Sequence, residues 1–101
     1  MGDRDKIFVQ QTSFRLTLIC RVDITGSLDR KIKYIKPDAT TGFWQADSSN
    51  DELGYIYYDV VDTDDFDQAG TWILWSWVNF PDGRHAPGDP IKLEIYNEGD
   101  V

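Results

Sequence analysis

Four carboxylates fall within six residues at Asp62, Asp64, Asp65 and Asp67, and closely spaced acidic oxygens of this kind are what a hard cation such as calcium takes. The run lacks the glycine and the distal glutamate of a helix-loop-helix calcium loop, and acidic turns ahead of a strand ordinarily cap backbone N–H groups and stay hydrated. These four residues are therefore kept only as weak metal candidates, and no cofactor is expected. His85 is the single histidine, inside the turn-rich stretch 81–88. No serine or cysteine stands beside it with a supporting acid, the arrangement that nucleophilic or acid-base catalysis requires. Cys20, the single cysteine, closes the apolar run 14–20, where a free thiol packs as a small hydrophobe, and it leaves no intrachain disulfide to form. A carboxylate pair for glycoside hydrolysis could be drawn from the eighteen acids by composition alone. There is no glycine-rich phosphate loop and no basic stripe interleaved with aromatics. No enzyme is expected.

What remains is the chemistry of recognition. In the run Thr71-Trp72-Ile73-Leu74-Trp75-Ser76-Trp77-Val78-Asn79-Phe80, large apolar side chains occupy both parities. Successive side chains of a strand point to opposite faces, so Trp72, Leu74, Val78 and Phe80 share one face and Ile73, Trp75 and Trp77 the other. One face can line a core, and the other must meet a cover.

The elements that position these residues are strands. No helix-length stretch carries a 3.6-residue apolar period, and short alternating or β-branched runs recur with turn signals between them. Strands are expected near 6–10, 14–21, 30–36, 42–47, 54–61, 71–80 and 91–97, with breakers at Thr25-Gly26-Ser27, Pro37-Asp38, the polar stretch 47–51 and Pro81-Asp82-Gly83. About seven strands in 101 residues predict an all-β, immunoglobulin-like antiparallel sandwich, one domain over 1–101. The predicted core is Leu16 and Leu18 or their alternates, Ile32, Tyr34, Ile56, Tyr58, Trp72, Leu74, Val78, Ile91, Leu93 and Ile95, with Phe66 pinning the acidic turn to it. The third, fourth, sixth and seventh of these strands are expected to share a sheet. Its outer face would carry Lys31 and Lys33 beside the candidate partner-binding residues Ile35, Trp44, Ile73, Trp75, Trp77 and Tyr96. Clustered exposed aromatics mark contact sites. The readings for this face are a protein interface, a stacking platform for sugar rings, or a surface covered by the chain's own loops or amino-terminal segment.

Ten Lys and Arg against eighteen Asp and Glu give a formal charge of -8, which disfavours nucleic acid and anionic membranes as partners. The charged opening residues, with no apolar stretch of membrane length after them, predict neither a signal peptide nor a membrane span. Synthesis in a cytoplasm is expected.

Several segments together carry a family likeness: Asp23-Ile24-Thr25-Gly26, Ile32-Lys33-Tyr34-Ile35-Lys36-Pro37-Asp38, Gly54-Tyr55-Ile56-Tyr57-Tyr58, Ala69-Gly70-Thr71-Trp72, Phe80-Pro81-Asp82-Gly83 and Ile91-Lys92-Leu93-Glu94-Ile95. The chain resembles, over residues 7–96, the immunoglobulin-like amino-terminal domain of tailed-phage baseplate upper proteins and similar small virion proteins. The resemblance implies a structural part of a tailed-phage virion, located in the virion and made in the host cytoplasm. It would serve as a decoration, collar or neck, or tail or baseplate adaptor, bound to other virion proteins as a homo-oligomer or multi-copy assembly. The alternative is a carbohydrate-binding immunoglobulin-like module attaching to cell-surface glycans through the same aromatic face. The family carries no catalytic residues to transfer.

Overall fold

A computed structural model describes residues 6–99 as a β-sandwich without helix. Its strands are β1 (Ile7–Phe8), β2 (Phe14–Ile19), β3 (Asp29–Ile35), β4 (Thr41–Gln45), β5 (Asp47–Asn50), β6 (Tyr55–Val60), β7 (Gly70–Asn79), β8 (His85–Pro87) and β9 (Ile91–Tyr96). The larger sheet runs β1-β9-β7-β3-β4, with β8 also paired to β7, and the smaller runs β2-β6-β5. All pairs are antiparallel except β1 with β9, which is parallel. The expected all-β sandwich is therefore the fold found, and the four strands expected to share a sheet do so.

The alternation read in β7 is realised. Trp72, Leu74, Ser76 and Val78 are buried, whereas Ile73, Trp75 and Trp77 lie on the outer face and are partly exposed. From the smaller sheet, Leu16, Leu18, Ile56 and Val60 close on them, joined by Ile32, Ile24 and Ile95. Phe66 is fully buried, as expected of the residue that anchors the acidic turn, and its carbonyl accepts the Gln10 N–H at 2.8 Å. The centre of the core is aromatic. Trp44 stacks on Tyr58 with centroids 5.3 Å apart and planes 2° from parallel, meets Phe66 edge-on at 5.0 Å, and touches Tyr34 at 4.6 Å. The polar ends of these rings are satisfied: the Trp72 Nε1–H donates to the Gln68 carbonyl at 2.9 Å, and the Tyr58 hydroxyl donates to the Asp65 carboxylate at 2.7 Å.

Four expectations are corrected. Trp44 belongs to the core, at 7% exposure, and not to the outer face. The β3–β4 register pairs it with Ile32, and directly paired residues share a face, so its neighbour Phe43 is the one turned outward. Ile91, placed in the core, is 43% exposed, because it lies at the end of the β7–β9 ladder. The polar stretch at 47–50, read as a turn, is strand β5, and the segment 85–87, read as hairpin loop, is strand β8. Both owe their conformation to a ladder with a stronger neighbour, β6 and β7 respectively. Only Ala46 separates β4 from β5, and this buried small residue is where the chain crosses from one sheet to the other.

Candidate functional site: the outer face of the larger sheet

The registers arrange the outer face of β4, β3 and β7 in three cross-strand rows. Gln45, Lys31, Trp77 and Pro87 form one, Phe43, Lys33 and Trp75 the next, and Thr41, Ile35, Ile73 and Lys92 the third. Cross-strand neighbours on one face lie close enough to touch, so side chains from strands remote in sequence become a single surface. Phe43 is 52% exposed within it. Ile35, Ile73 and Trp75, with Pro87 of β8 and Gly88 and Pro90 from the β8–β9 connection, line an open, mostly apolar groove.

The lysines are held by the rings beside them. The Lys33 ammonium sits 4.6 Å from the Trp77 ring centroid, and that of Lys31 lies 5.0 Å from Trp77 and 4.4 Å from Phe43. Attraction to the negative ring faces fixes these flexible side chains over the sheet. Lys31 also pairs with Asp29 at 3.3 Å, and Asp29 is in turn hydrogen-bonded by the Gln45 amide. That amide, ahead of Lys31, holds the Asp29 carboxyl below the usual carboxylate range. Lys33 has no carboxylate partner among the described residues. On a chain of net charge -8, this face presents a cation with no carboxylate partner among the described residues, inside an aromatic frame.

Four of the six candidate partner-binding residues, Ile35, Ile73, Trp75 and Trp77, come together here. Tyr96 shares the outer parity but sits toward the β1 edge, against Phe8 at 6.4 Å and under the Lys6 ammonium at 5.1 Å. The amino-terminal strand thus flanks Tyr96. Trp44 is absent from the face for the reason given above. Sequence reasoning missed Phe43, Pro87 and Pro90. The parity of Phe43 against Trp44 was the available signal, but it could not say which of two adjacent aromatics turns inward.

The other candidates do not assemble. The Asp62 carboxylate accepts the Asp64 N–H at 3.0 Å, Asp65 takes the Tyr58 hydroxyl, and Asp67 pairs with Lys36 at 3.0 Å. The acidic run therefore caps its own turn and ties it to the core and to the turn that follows β3. His85 stacks on Trp77 with centroids 5.2 Å apart. The Cys20 thiol is buried and donates to the Ala86 carbonyl at 3.5 Å.

No family model matches the chain, and no curated protein matches it. Among solved structures it is similar to CopC from Methylosinus trichosporium OB3b, at 13% identity and a TM-score of 0.54, over 95% of this chain and 88% of that one. At that identity the likeness shows the fold alone. The expected virion role is corrected on this finding, which points away from it: the solved structure found similar is CopC and not a virion protein. The glycan alternative also lacks its geometry, because the Trp77 ring already carries His85 and two lysines and Trp44 is buried. Among the described residues no three His, Cys, Asp or Glu side chains converge, the imidazole is stacked on an indole and the thiol is enclosed. The comparisons thus place the chain in the β-sandwich fold.

Proposed function

We propose that this chain is a non-catalytic binding module that docks a protein partner on the outer face of its larger sheet, with Ile35, Ile73 and Trp75 as anchors and Lys33, held over Trp77, as the polar guide. The observation that carries this reading is the register-built face itself: the opposite side of β7 already has its full core, and these side chains still form an apolar groove at the surface. Burying what remains exposed of one partly buried indole, roughly a third of ~200 Å² at most, would contribute up to about 2 kcal/mol of gross hydrophobic stabilisation at ~25 cal/mol per Å², before association costs. A partner segment with an apolar side chain beside a carboxylate fits this surface, the first entering the groove and the second meeting Lys33. A second copy of the chain fits it less well. Pairing like faces would oppose the two Lys33 ammoniums and bring together bodies that each carry a net charge of -8.

The test places a photo-crosslinking amino acid at Phe43 and, as a control, at Arg15 on the smaller sheet. Position 43 is expected to capture one protein. Titrated as a purified pair by calorimetry, that protein should lose about tenfold or more in affinity for Trp75→Ala, as hot-spot tryptophans do. Equal capture from position 15, or undiminished affinity for Trp75→Ala, defeats the proposal.

A further inference from the structure

The margins of the two sheets are protected unequally. An edge strand presents a row of unpaired N–H and C=O groups, and folded proteins blunt it by brevity, charge, proline or a bulge. β1 has two residues, β8 has three and contains Pro87, β5 carries Asp47 and a register shift between Ser48 and Asn50, and β2 carries Arg15. β4, which ends the larger sheet, has five residues without a charge, a proline or a register shift.

The bonds at the two ends of β4 show which of its groups are open. The Ala46 N–H donates to the Arg30 carbonyl at 2.9 Å, and the Thr40 carbonyl accepts from the Lys36 N–H at 2.8 Å, so the even-numbered residues turn their backbone groups to β3. Direction alternates along a strand, so Thr41, Phe43 and Gln45 turn N–H and C=O away from β3, to the side where no strand follows. All three residues are exposed. The same parity puts their side chains on the outer face. There the Lys31 ammonium lies 4.4 Å from the Phe43 ring centroid, and Lys33 stands directly across from Phe43 in the ladder. Salt screens charge beyond about 8 Å, so a segment arriving at this edge meets these two lysines before it meets the net charge of the chain.

We propose that an acidic, extended segment of the partner adds to the larger sheet as a further strand alongside β4, an inference that rests on the docking reading above. Its backbone pairs with Thr41, Phe43 and Gln45. Its alternate side chains continue two surfaces already present: carboxylates on the outer side meet Lys31 and Lys33, and apolar side chains on the inner side extend the core row that ends at Trp44. A second copy offers a matching backbone, but its own β4 brings no carboxylate to these lysines.

The experiment adds an end-blocked octapeptide of alternating Val and Glu to the ¹⁵N-labelled full chain and follows amide shifts and hydrogen exchange. In the free protein the amides of Thr41, Phe43 and Gln45 are expected to exchange fast and those of Gly42 and Trp44 slowly. Saturating peptide should slow the first set about tenfold or more. The Val-Lys counterpart should bind about tenfold more weakly. Phe43→Pro removes an N–H that makes no bond to β3 and should abolish binding, whereas Phe43→Ala, which keeps it, should cost less than about fivefold. Thr41→Pro serves the same purpose should the first proline disturb the core amides. Equal effects of proline and alanine at position 43, equal binding of the two peptides, or shifts that do not saturate would overturn the added strand. So would a wild-type dimer in sedimentation that Phe43→Pro dissolves, which would give the edge to a second copy. Trp75 separates this inference from the reading beneath it. If the protein captured from position 43 is weakened by Trp75→Ala but indifferent to Phe43→Pro, the docking face stands and the added strand falls.

Discussion

Trp44 and Trp75 have the same indole and opposite duties, and their environments allow the difference to be measured. Trp44 is in contact with four aromatic rings at the centre of the sandwich, so Trp44→Ala removes a large buried volume and should cost about 3–5 kcal/mol in urea unfolding. Trp75→Ala, on the partly exposed face, should cost well under half of that and leave the fold intact. Comparable losses for the two would place Trp75 in the core and undo the docking surface. Ser76→Ala has the reverse expectation. Deleting a buried hydroxyl that lacks a partner should leave the free protein unchanged or stabilise it by up to about 1 kcal/mol, since an unmade hydrogen bond is a cost and not a support. A clear destabilisation would mean that the hydroxyl is satisfied in solution. Tyr58 supplies a pH handle. Desolvation by burial, then the hydrogen bond to Asp65, hold its phenol well above the ordinary tyrosine range. The folded protein thus keeps this proton more tightly than the unfolded chain does. The resulting stabilisation is complete below the unfolded value of about 10 and is lost as pH rises beyond it. Tyr58→Phe should flatten the alkaline decline in denaturation midpoint, and an unchanged decline would remove Tyr58 as its source.

At the scale of the element, β4 depends on close approach. A Cβ at Gly42 would lie 2.5 Å from the Tyr34 hydroxyl oxygen and 2.6 Å from its ring, directly across the β3–β4 ladder. Tyr34 cannot retreat freely, because it packs on Trp44 at 4.6 Å and on Trp72 at 5.4 Å. Gly42→Ala should therefore destabilise by about 1–3 kcal/mol through overpacking, and Tyr34→Phe in the same chain should recover part of it by removing the hydroxyl oxygen that the new methyl meets. No recovery would mean that β4 itself has shifted. The turn between β3 and β4 is closed by Asp38, which accepts from Thr40 at 2.9 Å and from the Gln68 amide at 2.8 Å, so one carboxylate joins the hairpin to the segment entering β7. Strong elements such as β7 were legible from their own residues. β5 and β8 were not, because the residues Asp47 to Asn50 and His85 to Pro87 have weak strand preference and become strands through the ladder they join.

Across the whole molecule, charge sets the response to acid. Asp29 is held low first by the Gln45 hydrogen bond, Asp38 by that of Thr40 and Asp59 by that of Arg15. Each binds its proton less tightly when folded, so its contribution is present above the unfolded value of about 4 and is lost as pH falls through the lower folded value. The denaturation midpoint should therefore drop on acidification below that range, and Asp38→Asn should make the drop shallower. A midpoint that rises there would mean that relief of self-repulsion, on a chain of net charge -8, outweighs these bonds.

The alternation of apolar side chains determined by itself that this chain is a β-sandwich, that Trp72, Leu74 and Val78 face inward, and that Ile73, Trp75 and Trp77 share the other side of one strand. Period-2 geometry is local, so it can be read without a partner strand. Only the tertiary structure decided that Trp44 turns in and Phe43 out, since one shift of register exchanges them, and that Lys31 and Lys33 lie over Trp77. It alone also left β4 at the margin of its sheet, because β7, remote in sequence, takes the other side of β3 and the chain leaves this sheet after Gln45.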